Sequence, residues 1–235
     1  MSVEGSAVES SVRDRRRAET AREIKAAALQ QLAEGGTGAL SLRGVGRSIG
    51  MTVQSLYHYF DSRDALLTAL VSDAHHQLAD AVQAAADDTR GHRPLARRLA
   101  ATGAYRDWAL AHRPAFLLLY GTPVPGFAPP PDSDTGPAAF RLAAPFLDVV
   151  FDGWTARQLA ALPLPGDRTI DVSDTKITLP VGALAYFIEL RGTMHGLVML
   201  ELLGHLYPFN AVAGDLYTAA MHRMSDTLDA LQHGS

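Results

Sequence analysis

Apolar residues in this chain recur at the spacing of an α-helix, and no stretch alternates apolar and polar residues for long enough to predict a β-strand. The first clear pattern runs from Ile24 to Leu32 and is followed by Gly35 and Gly36, which are typical helix-ending residues. The later helical patterns cover 94–120, 137–162, 181–207 and 210–232. We therefore expect an all-α fold.

Two stretches interrupt the helical pattern. Residues 121–137 hold six of the chain's 13 prolines and are predicted to form a loop. The second break covers 163–180 and has prolines at both ends. Within 94–120, the helix is expected either to continue past Pro114 with a kink or to split there.

Composition excludes several classes of protein. The 235 residues contain no cysteine, which removes disulfide-stapled secreted modules, cysteine zinc sites, iron–sulfur proteins and cysteine-nucleophile enzymes. The HExxH, GxSxG, P-loop and GxGxxG motifs are also absent from the sequence. We expect a protein that is not an enzyme, with no catalytic residue, metal site or cofactor.

Targeting signals are not visible either. No apolar run reaches the roughly 18 residues that a membrane span requires, and the first 20 residues lack the apolar stretch of a signal peptide. The expectation is a cytoplasmic protein that has no membrane partner.

Charge is distributed unevenly along the chain. Residues 1–63 carry a net charge of +2 and residues 64–235 carry −6. A mildly basic N-terminal part on an acidic remainder is typical of a nucleic-acid-binding module attached to another domain. Residues 1–17 are predicted to be a disordered basic arm whose arginines either grip a minor groove or remain in solvent, and we favour solvent.

Short helices with a glycine turn follow the first helix. Ser41 is a candidate N-cap of a helix that ends near Ile49, and Gly50 suits a left-handed turn. Thr52 is a candidate cap of the next helix, Val53–Tyr59. Asp61 or Ser62 is then expected to cap a longer helix from Arg63 to about Ala86. Two short helices joined in this way predict a helix-turn-helix, whose second helix enters the major groove of DNA.

The second short helix carries side chains suited to that groove. Gln54 can bond adenine bidentately, and Val53 can touch a thymine methyl group. Leu56 and Phe60 are expected to face the core. The groups suited to phosphate oxygens are the hydroxyls of Ser55, Tyr57 and Tyr59 and the guanidinium of Arg63.

The run Leu40–Leu70 resembles the DNA-binding region of the TetR family of transcriptional regulators. Its most specific part is the block Leu56–Phe60, LYHYF, with Arg63 downstream, and the helix Glu23–Gly36 is similar to the family's first helix. The resemblance implies base contacts from Val53, Gln54 and His58. It implies phosphate contacts from Ser41, Ser55, Tyr57, Tyr59 and Arg63.

This sequence departs from the family's pattern in the first short helix. Gly44 and Gly46 stand where alanine or an acidic residue is common. Each glycine is expected to cost about 1 kcal/mol of helix stability relative to alanine. Val53 also stands where many relatives are polar or basic, so the operator sequence is not predicted.

The resemblance also implies an architecture. Residues 18–66 are expected to form a three-helix DNA-binding domain, and residues 67–235 a larger helical domain for ligand binding and dimerisation. Tyr120–Phe127 and Met194–Leu197 look like features of one subgroup of TetR-like C-terminal domains. The implied function is a homodimer that binds a palindromic double-stranded DNA operator.

The helix predicted over 181–207 is apolar almost all round, so it needs burial on two sides. With the final helix it is expected to meet its two-fold copy as a four-helix bundle. The alternative, burial within one large monomer, remains open. The candidate interface residues are Leu202, Leu206, Leu216, Ala220, Met224 and Leu228.

Aromatic residues concentrate in the middle of the C-terminal part, where they predict an apolar ligand pocket. The polar groups offered to that pocket are Arg191 and His195, four residues apart on one helix. Alternatively the aromatic rings fill a core, and these charges pair with Glu189, Asp148 or Asp152. The candidate pocket residues are Tyr105, Trp108, His112, Phe116, Tyr120, Phe127, Phe151, Trp154, Tyr186, Arg191 and His195.

The family resemblance and the predicted pocket together predict a ligand-responsive regulator. We expect a repressor that a small hydrophobic or amphipathic effector releases from its operator. The alternative is a ligand-independent DNA-binding dimer that acts as an activator or an architectural protein. The two differ in whether the C-terminal part holds a cavity.

Overall fold

A computed structural model describes residues 3–36, 38–164 and 178–233 of the chain. These residues form helices and connecting loops without a β-strand, which confirms the all-α prediction. The helices are α1 (Val3–Gly35), α2 (Leu42–Ser48), α3 (Val53–Tyr57), α4 (Arg63–Asp88), α5 (Pro94–Ala111), α6 (Arg113–Tyr120), α7 (Thr135–Arg141), α8 (Ala143–Val150), α9 (Ala156–Ala161), α10 (Val181–Leu202), a 3₁₀ turn (Phe209–Val212) and α11 (Ala213–His233).

Side-chain hydroxyls fix the starts of three helices near the N-terminus. The Ser41 Oγ accepts a hydrogen bond of 3.1 Å from the Gly44 amide, and the Thr52 Oγ1 accepts one of 3.1 Å from the Ser55 amide. At α4 the cap is Ser62, whose Oγ accepts from the Ala65 amide at 3.0 Å. Each bond satisfies one of the amides that the first turn of a helix leaves open.

The N-terminal segment differs from its prediction. Residues 3–17, expected to be a disordered arm, continue α1 as helix. The segment contains no proline, and its alanine, glutamate and arginine residues are good helix formers. A helix already anchored by Ile24 and Ala28, both fully buried, therefore extends readily into it.

Several other predicted helices are shorter in the structure or are divided into two or three helices. The helix from Val53 ends at Tyr57, and the pattern over 94–120 splits at His112, with Pro114 in the first turn of α6. The pattern over 137–162 is divided among α7, α8 and α9. The predicted helix over 181–207 ends at Leu202. Most of the predicted break at 163–180 lies outside the described residues.

The chain divides into two compact units. One, here called the head, comprises Met1–His76 and His112–Ala139; the other, the body, comprises Gln77–Ala111 and Phe140–Ser235. This division differs from the predicted boundary between residues 66 and 67. It places α6 and the proline-rich loop with the head, although both follow the first body helix in the sequence.

The head has a continuous apolar core. Val124 of the proline-rich loop belongs to it, and Leu118 and Phe127 pack against it. The remaining core residues are Ile24, Ala28, Leu32, Leu40, Leu42, Val45, Leu56, Leu66, Leu67 and Leu70. A segment distant in sequence thus completes the hydrophobic interior of the predicted DNA-binding domain.

The body is organised around α5, which packs against α8, α10 and α11. Three arginines of α5 pair with carboxylates on other body segments: Arg97 with Asp148 and Asp152, Arg98 with Asp229, and Arg106 with Glu201. Arg97 and Arg98 are each only 5% exposed. These pairs satisfy cations that would be costly to bury alone.

None of the helices in the described part of the chain combines the length and apolar content needed to cross a membrane.

Candidate nucleic-acid interface and ligand cleft

The turn between α2 and α3 depends on two glycines. Gly50 has a φ of 69°, a left-handed conformation that residues with a Cβ rarely adopt. Gly46 is buried, and a Cβ there would lie 2.7 Å from the Met51 carbonyl oxygen and 2.9 Å from the Leu56 Cδ1. Gly46 therefore lets α2 approach the turn and α3 closely. The expectation that glycine at this position only weakens the helix is wrong, because alanine does not fit.

The outer face of α3 carries the predicted base-reading residues. Leu56 is fully buried and anchors the helix in the head core. Gln54 and His58 are exposed, and their four-residue separation places them next to each other at the surface. Val53 is half-buried beside them. Two exposed groups able to form hydrogen bonds and one half-buried apolar side chain thus lie side by side on α3, and these are side-chain types that can contact base edges in a major groove.

Three of the candidate phosphate-contacting residues form hydrogen bonds within the head. Ser41 caps α2, and the Ser55 Oγ lies 2.8 Å from the Thr52 Oγ1. The Arg63 Nε donates a 3.0 Å hydrogen bond to the Leu40 carbonyl and so links the start of α4 to the segment before α2. These bonds hold the groups in fixed positions around α3. Tyr57 is 49% exposed, whereas Tyr59 is half-buried.

Arg17 is a residue of this surface that sequence reasoning missed. Its Nη2 donates a 2.8 Å hydrogen bond to the His58 carbonyl, and its guanidinium lies 5.4 Å from the centre of the Tyr59 ring. The carbonyl groups at the C-terminal end of a helix and the face of an aromatic ring both attract a positive charge. The expectation of a solvated arm is wrong for Arg17. No spacing in the sequence links it to residues 41 and 42 positions away.

The predicted pocket residues are divided between the two units. His112, Phe116, Tyr120 and Phe127 belong to the head, where Phe116 is fully buried and its ring lies 5.0 Å from that of Tyr120. The body contains the others, which are Tyr105, Trp108, Phe151, Trp154, Tyr186, Arg191 and His195. Tyr105 and Trp108 are buried as well, so several of these rings serve as core.

Two of the body residues are in direct contact. The Tyr105 hydroxyl and the His195 Nδ1 are 2.8 Å apart. Burial lowers the pKa of His195, and the nearby charge of Arg191 lowers it further. The lowered pKa favours neutral His195, whose Nδ1 can accept a hydrogen bond from the Tyr105 hydroxyl. Arg191 itself is exposed rather than directed into a pocket.

The carboxylates offered to Arg191 and His195 have other partners. Asp148 and Asp152 bind Arg97, and the Arg97 Nη2 lies 2.6 Å from the Asp148 Oδ2. Glu201 accepts two hydrogen bonds of 2.8 and 2.5 Å from Arg106. Arg106 also stacks at 5.7 Å over the Tyr217 ring, and burial raises the pKa of that tyrosine.

A cleft lies between α5, α10 and α11, away from most of the predicted pocket residues. Tyr186 is the one member of the predicted set that lines it. The cleft residues are Arg98, Thr102, Tyr186, Leu190, Met221, Met224, Ser225 and Leu228. The space not filled by atoms measures about 260 Å³, including open solvent at its mouth.

Half of the predicted dimer interface lies inside the protomer. Leu202, Ala220 and Leu228 are 7%, 7% and 1% exposed, because these faces of α10 and α11 pack within the body. Their assignment to a dimer interface remains a prediction. Leu216 is exposed, and Leu206 and Met224 are half-buried.

Comparison with known proteins identifies relatives for both parts of the chain. Residues 24–70 match the family model of bacterial regulatory proteins of the tetR family, and residues 98–227 match that of the tetracyclin repressor-like C-terminal domain. HTH-type transcriptional regulators of Mycobacterium bovis and Mycobacterium tuberculosis are 41% identical to the chain over 124 residues, which is 53% of this chain. The chain spans 53% of the length of each of these relatives.

Solved structures share the fold over most of the chain. The crystal structure of the regulatory protein SCO4313 has a TM-score of 0.72 and 30% identity, over 90% of this chain and 97% of that one. A protein of unknown function from Rhodococcus sp. RHA1 has a TM-score of 0.64 and 28% identity, over 88% of this chain and 94% of that one.

Proposed function

The chain belongs to the TetR family of bacterial regulatory proteins, and from that premise we propose that it is a DNA-binding transcriptional regulator whose body responds to a small molecule. One observation carries the proposal. The α2–Gly50–α3 turn buries Leu56 completely and leaves Gln54 and His58 exposed on the opposite face of α3. This is the arrangement by which a recognition helix presents side chains to the major groove.

A small set of residues on α3 recognises the DNA bases. Gln54 pairs with adenine, His58 offers a ring nitrogen to a base edge, and Val53 packs on a thymine methyl group. Tyr57, Ser55 and Arg63 contact the flanking phosphates and set the register. Arg17 supports the C-terminal end of α3 through the His58 carbonyl.

We expect the regulator to act as a homodimer on a palindromic operator. The body exposes large apolar side chains near the C-terminal end of α10 and the start of α11, and surfaces of this kind mark interfaces. They are Leu200, Leu203, Tyr207, Phe209, Val212 and Leu216, and Ile188 is exposed in the first half of α10. A two-fold contact across this surface pairs two recognition helices with half-sites about one DNA turn apart.

We propose that ligand binding acts through the chain segments that connect the head and the body. Helix α4 starts in the head at Arg63 and reaches Asp88 in the body. Helix α6 and Val124 lie directly beyond the body helix α5 in sequence, yet pack in the head core. A ligand that favours another arrangement of these segments would weaken operator binding by roughly 5- to 150-fold, corresponding to about 1–3 kcal/mol of coupling.

The decisive experiment is selection of bound fragments from random duplex DNA by the purified protein at near-physiological salt. Recovery of a two-fold-symmetric site supports the reading surface, the dimer and the half-site spacing together. The Gln54→Ala variant is expected to lose about 1–3 kcal/mol of affinity and to relax one base position in each half-site. Selection without any preferred sequence would refute a sequence-specific regulator.

The position of the operator relative to a promoter distinguishes repression from activation. A repressor predicts an operator that overlaps a promoter and a ligand that releases the protein from it. An operator affinity that no bound ligand alters would favour the ligand-independent alternative. The dimer is tested separately by sedimentation of Leu203→Glu, which is expected to shift the protein to the monomer.

A further inference from the structure

The cleft between α5, α10 and α11 contains two buried polar groups that lack a partner among the described residues. They are the Nη1 of Arg98 and the Oγ of Ser225. Arg98 is 5% exposed and Ser225 is 3% exposed. Buried donors are almost always satisfied in folded proteins, and leaving one open costs free energy. Arg98 and Ser225 both line the same cleft, so one molecule bound there is close to both residues.

Arg98 is held in place by its other nitrogens. Its Nη2 pairs with Asp229, and its Nε donates a 3.3 Å hydrogen bond to the Pro94 carbonyl. The guanidinium is planar and rigid, so fixing two of its nitrogens fixes the direction of the third. Nη1 is thus a preorganised donor, and it attracts an oxygen acceptor.

The rest of the lining is apolar or already satisfied. The Tyr186 hydroxyl donates to the Met224 carbonyl at 2.7 Å, and burial raises the pKa of Tyr186 to about 12, so it remains a neutral phenol. Thr102 Oγ1 donates to the Arg98 carbonyl at 2.8 Å. Leu190, Leu228 and the two methionines supply apolar walls. A ligand therefore needs one polar end and an apolar remainder.

The local charge favours an uncharged ligand. Asp229 already neutralises the positive charge of Arg98. Glu189 adds negative charge near Tyr186, where it raises the pKa of that tyrosine. A carboxylate entering the cleft would find no second cation to offset its loss of hydration. A carbonyl oxygen needs only hydrogen-bond donors, which Arg98 and Ser225 supply.

The cleft is narrow, and its interior holds little more than a water-sized group. Two of its walls are the side chains of Met221 and Met224, which are unbranched and adapt readily to a guest. A ligand chain can therefore displace these methionines without moving the helices far. Such adjustment also gives ligand binding a direct effect on the packing of α11 against α5.

Given a ligand-responsive regulator as proposed above, on which this inference rests, we propose that the cleft binds an uncharged apolar molecule through a carbonyl-type oxygen. Arg98 Nη1 and the Ser225 hydroxyl donate to that oxygen, and the chain of the ligand lies against Met221, Met224 and Leu190. Ketones, esters and lactones belong to this class. Fatty-acid anions do not.

Two probes of equal size separate these classes. Heptan-2-one and hexanoate both have eight non-hydrogen atoms, but only the second carries a charge. The full-length protein, labelled at the methionine methyl groups, is titrated with each probe by NMR in the absence of DNA. Of its six methionines, Met221 and Met224 line the cleft and are assigned from leucine variants. We expect heptan-2-one to shift these two resonances, and hexanoate to bind at least about 10-fold more weakly.

Variants then test the donors. Ser225→Ala is expected to weaken heptan-2-one binding about 2- to 10-fold, and Arg98→Lys, which keeps the pair with Asp229, by about 10-fold or more. Thr227→Ala is the matched control, because it removes an exposed hydroxyl from the same helix two residues away. It should leave the titration unchanged. The circular dichroism spectrum verifies that each variant is folded.

Three results would overturn the proposal. These are no methionine shifts at millimolar heptan-2-one, hexanoate binding as tightly as the ketone, or unchanged affinity in both Ser225→Ala and Arg98→Lys. Since the titration contains no DNA, its outcome is independent of operator binding. A ketone that binds the cleft but leaves operator affinity unchanged supports this site and counts against the proposed release mechanism alone.

Discussion

The head and the body are stabilised by different means. The part of the head that contains α2 and α3 has a core of apolar side chains. Its helices begin at Ser41 and Thr52, whose hydroxyl oxygens accept hydrogen bonds from amides three positions later. The body places Arg97, Arg98 and Arg106 on a single helix and binds each to a carboxylate from another segment. Contacts of the first kind resist change, whereas polar contacts of the second kind leave donors that a ligand can engage.

The difference suggests a division of labour. Close packing around Leu56 and Gly46 keeps the reading surface in one conformation, as recognition of a fixed DNA shape requires. The body tolerates polar groups near its interior, and two arginines there, Arg97 and Arg98, each have a nitrogen without a hydrogen-bond partner among the described residues. Four measurements test this difference between the head and the body.

The largest effect is expected from Leu56→Ala. This side chain is fully buried, so its truncation should lower the free energy of unfolding by about 2–5 kcal/mol, with loss of sequence-specific DNA binding. Urea denaturation followed by circular dichroism measures the change. Phe140→Ala, at a position 80% exposed, is the control and should cost less than about 0.5 kcal/mol. Equal losses in the two variants would contradict a head held together by its core.

The body should respond in a non-additive way. Arg106 and Glu201 have side chains only 19% and 18% exposed, so Arg106→Ala leaves a poorly hydrated carboxylate and should cost about 2–4 kcal/mol. Replacing both residues together, as Arg106→Met with Glu201→Leu, should recover most of that loss. Asp107→Ala is the exposed neighbour for comparison. A double variant as unstable as Arg106→Ala would argue against charge burial as the cause.

Alanine at two helical glycines should have opposite effects. Gly46→Ala introduces a Cβ that clashes with the Met51 carbonyl and should lower the free energy of unfolding by about 1–3 kcal/mol. At Gly103 of α5, the added Cβ meets nothing within 4 Å, so Gly103→Ala should raise it by up to about 1 kcal/mol. Chemical denaturation of the pair tests whether the close approach at Gly46 stabilises the head.

The smallest effect concerns pH. Burial holds the pKa of His195 below its ordinary 6.5, so the unfolded chain takes up this proton first as the pH falls. The stability associated with neutral His195 is complete above pH 6.5 and is lost as the pH drops through the lowered pKa, at no more than about 1.4 kcal/mol per pH unit. His195→Gln should flatten the dependence of the melting temperature on pH below 6.5. The exposed His92→Gln should leave it as steep as in the original chain.

Sequence reasoning succeeded where structure is determined by near neighbours. The caps at Ser41 and Thr52, the Gly50 turn and the burial of Leu56 all follow from residues within a few positions of one another. It failed where partners are far apart: Arg98 and Asp229 are separated by 131 positions, and Arg17 and His58 by 41. Helical periodicity marks a buried face but does not identify what covers it. Buried faces of α10 and α11 were therefore assigned to a second protomer.

The participation of Val124, Leu118 and Phe127 in the head core has a consequence for engineering. An exchange of reading heads between related regulators at a single crossover after α4 would leave these three residues behind. The transplanted head would then meet a foreign segment in its own interior. A functional chimera needs three crossovers, one on each side of α5 and one after residue 139, so that residues 112–139 travel with the head while the rest of the body stays. In this protein the transferable part is discontinuous in the gene.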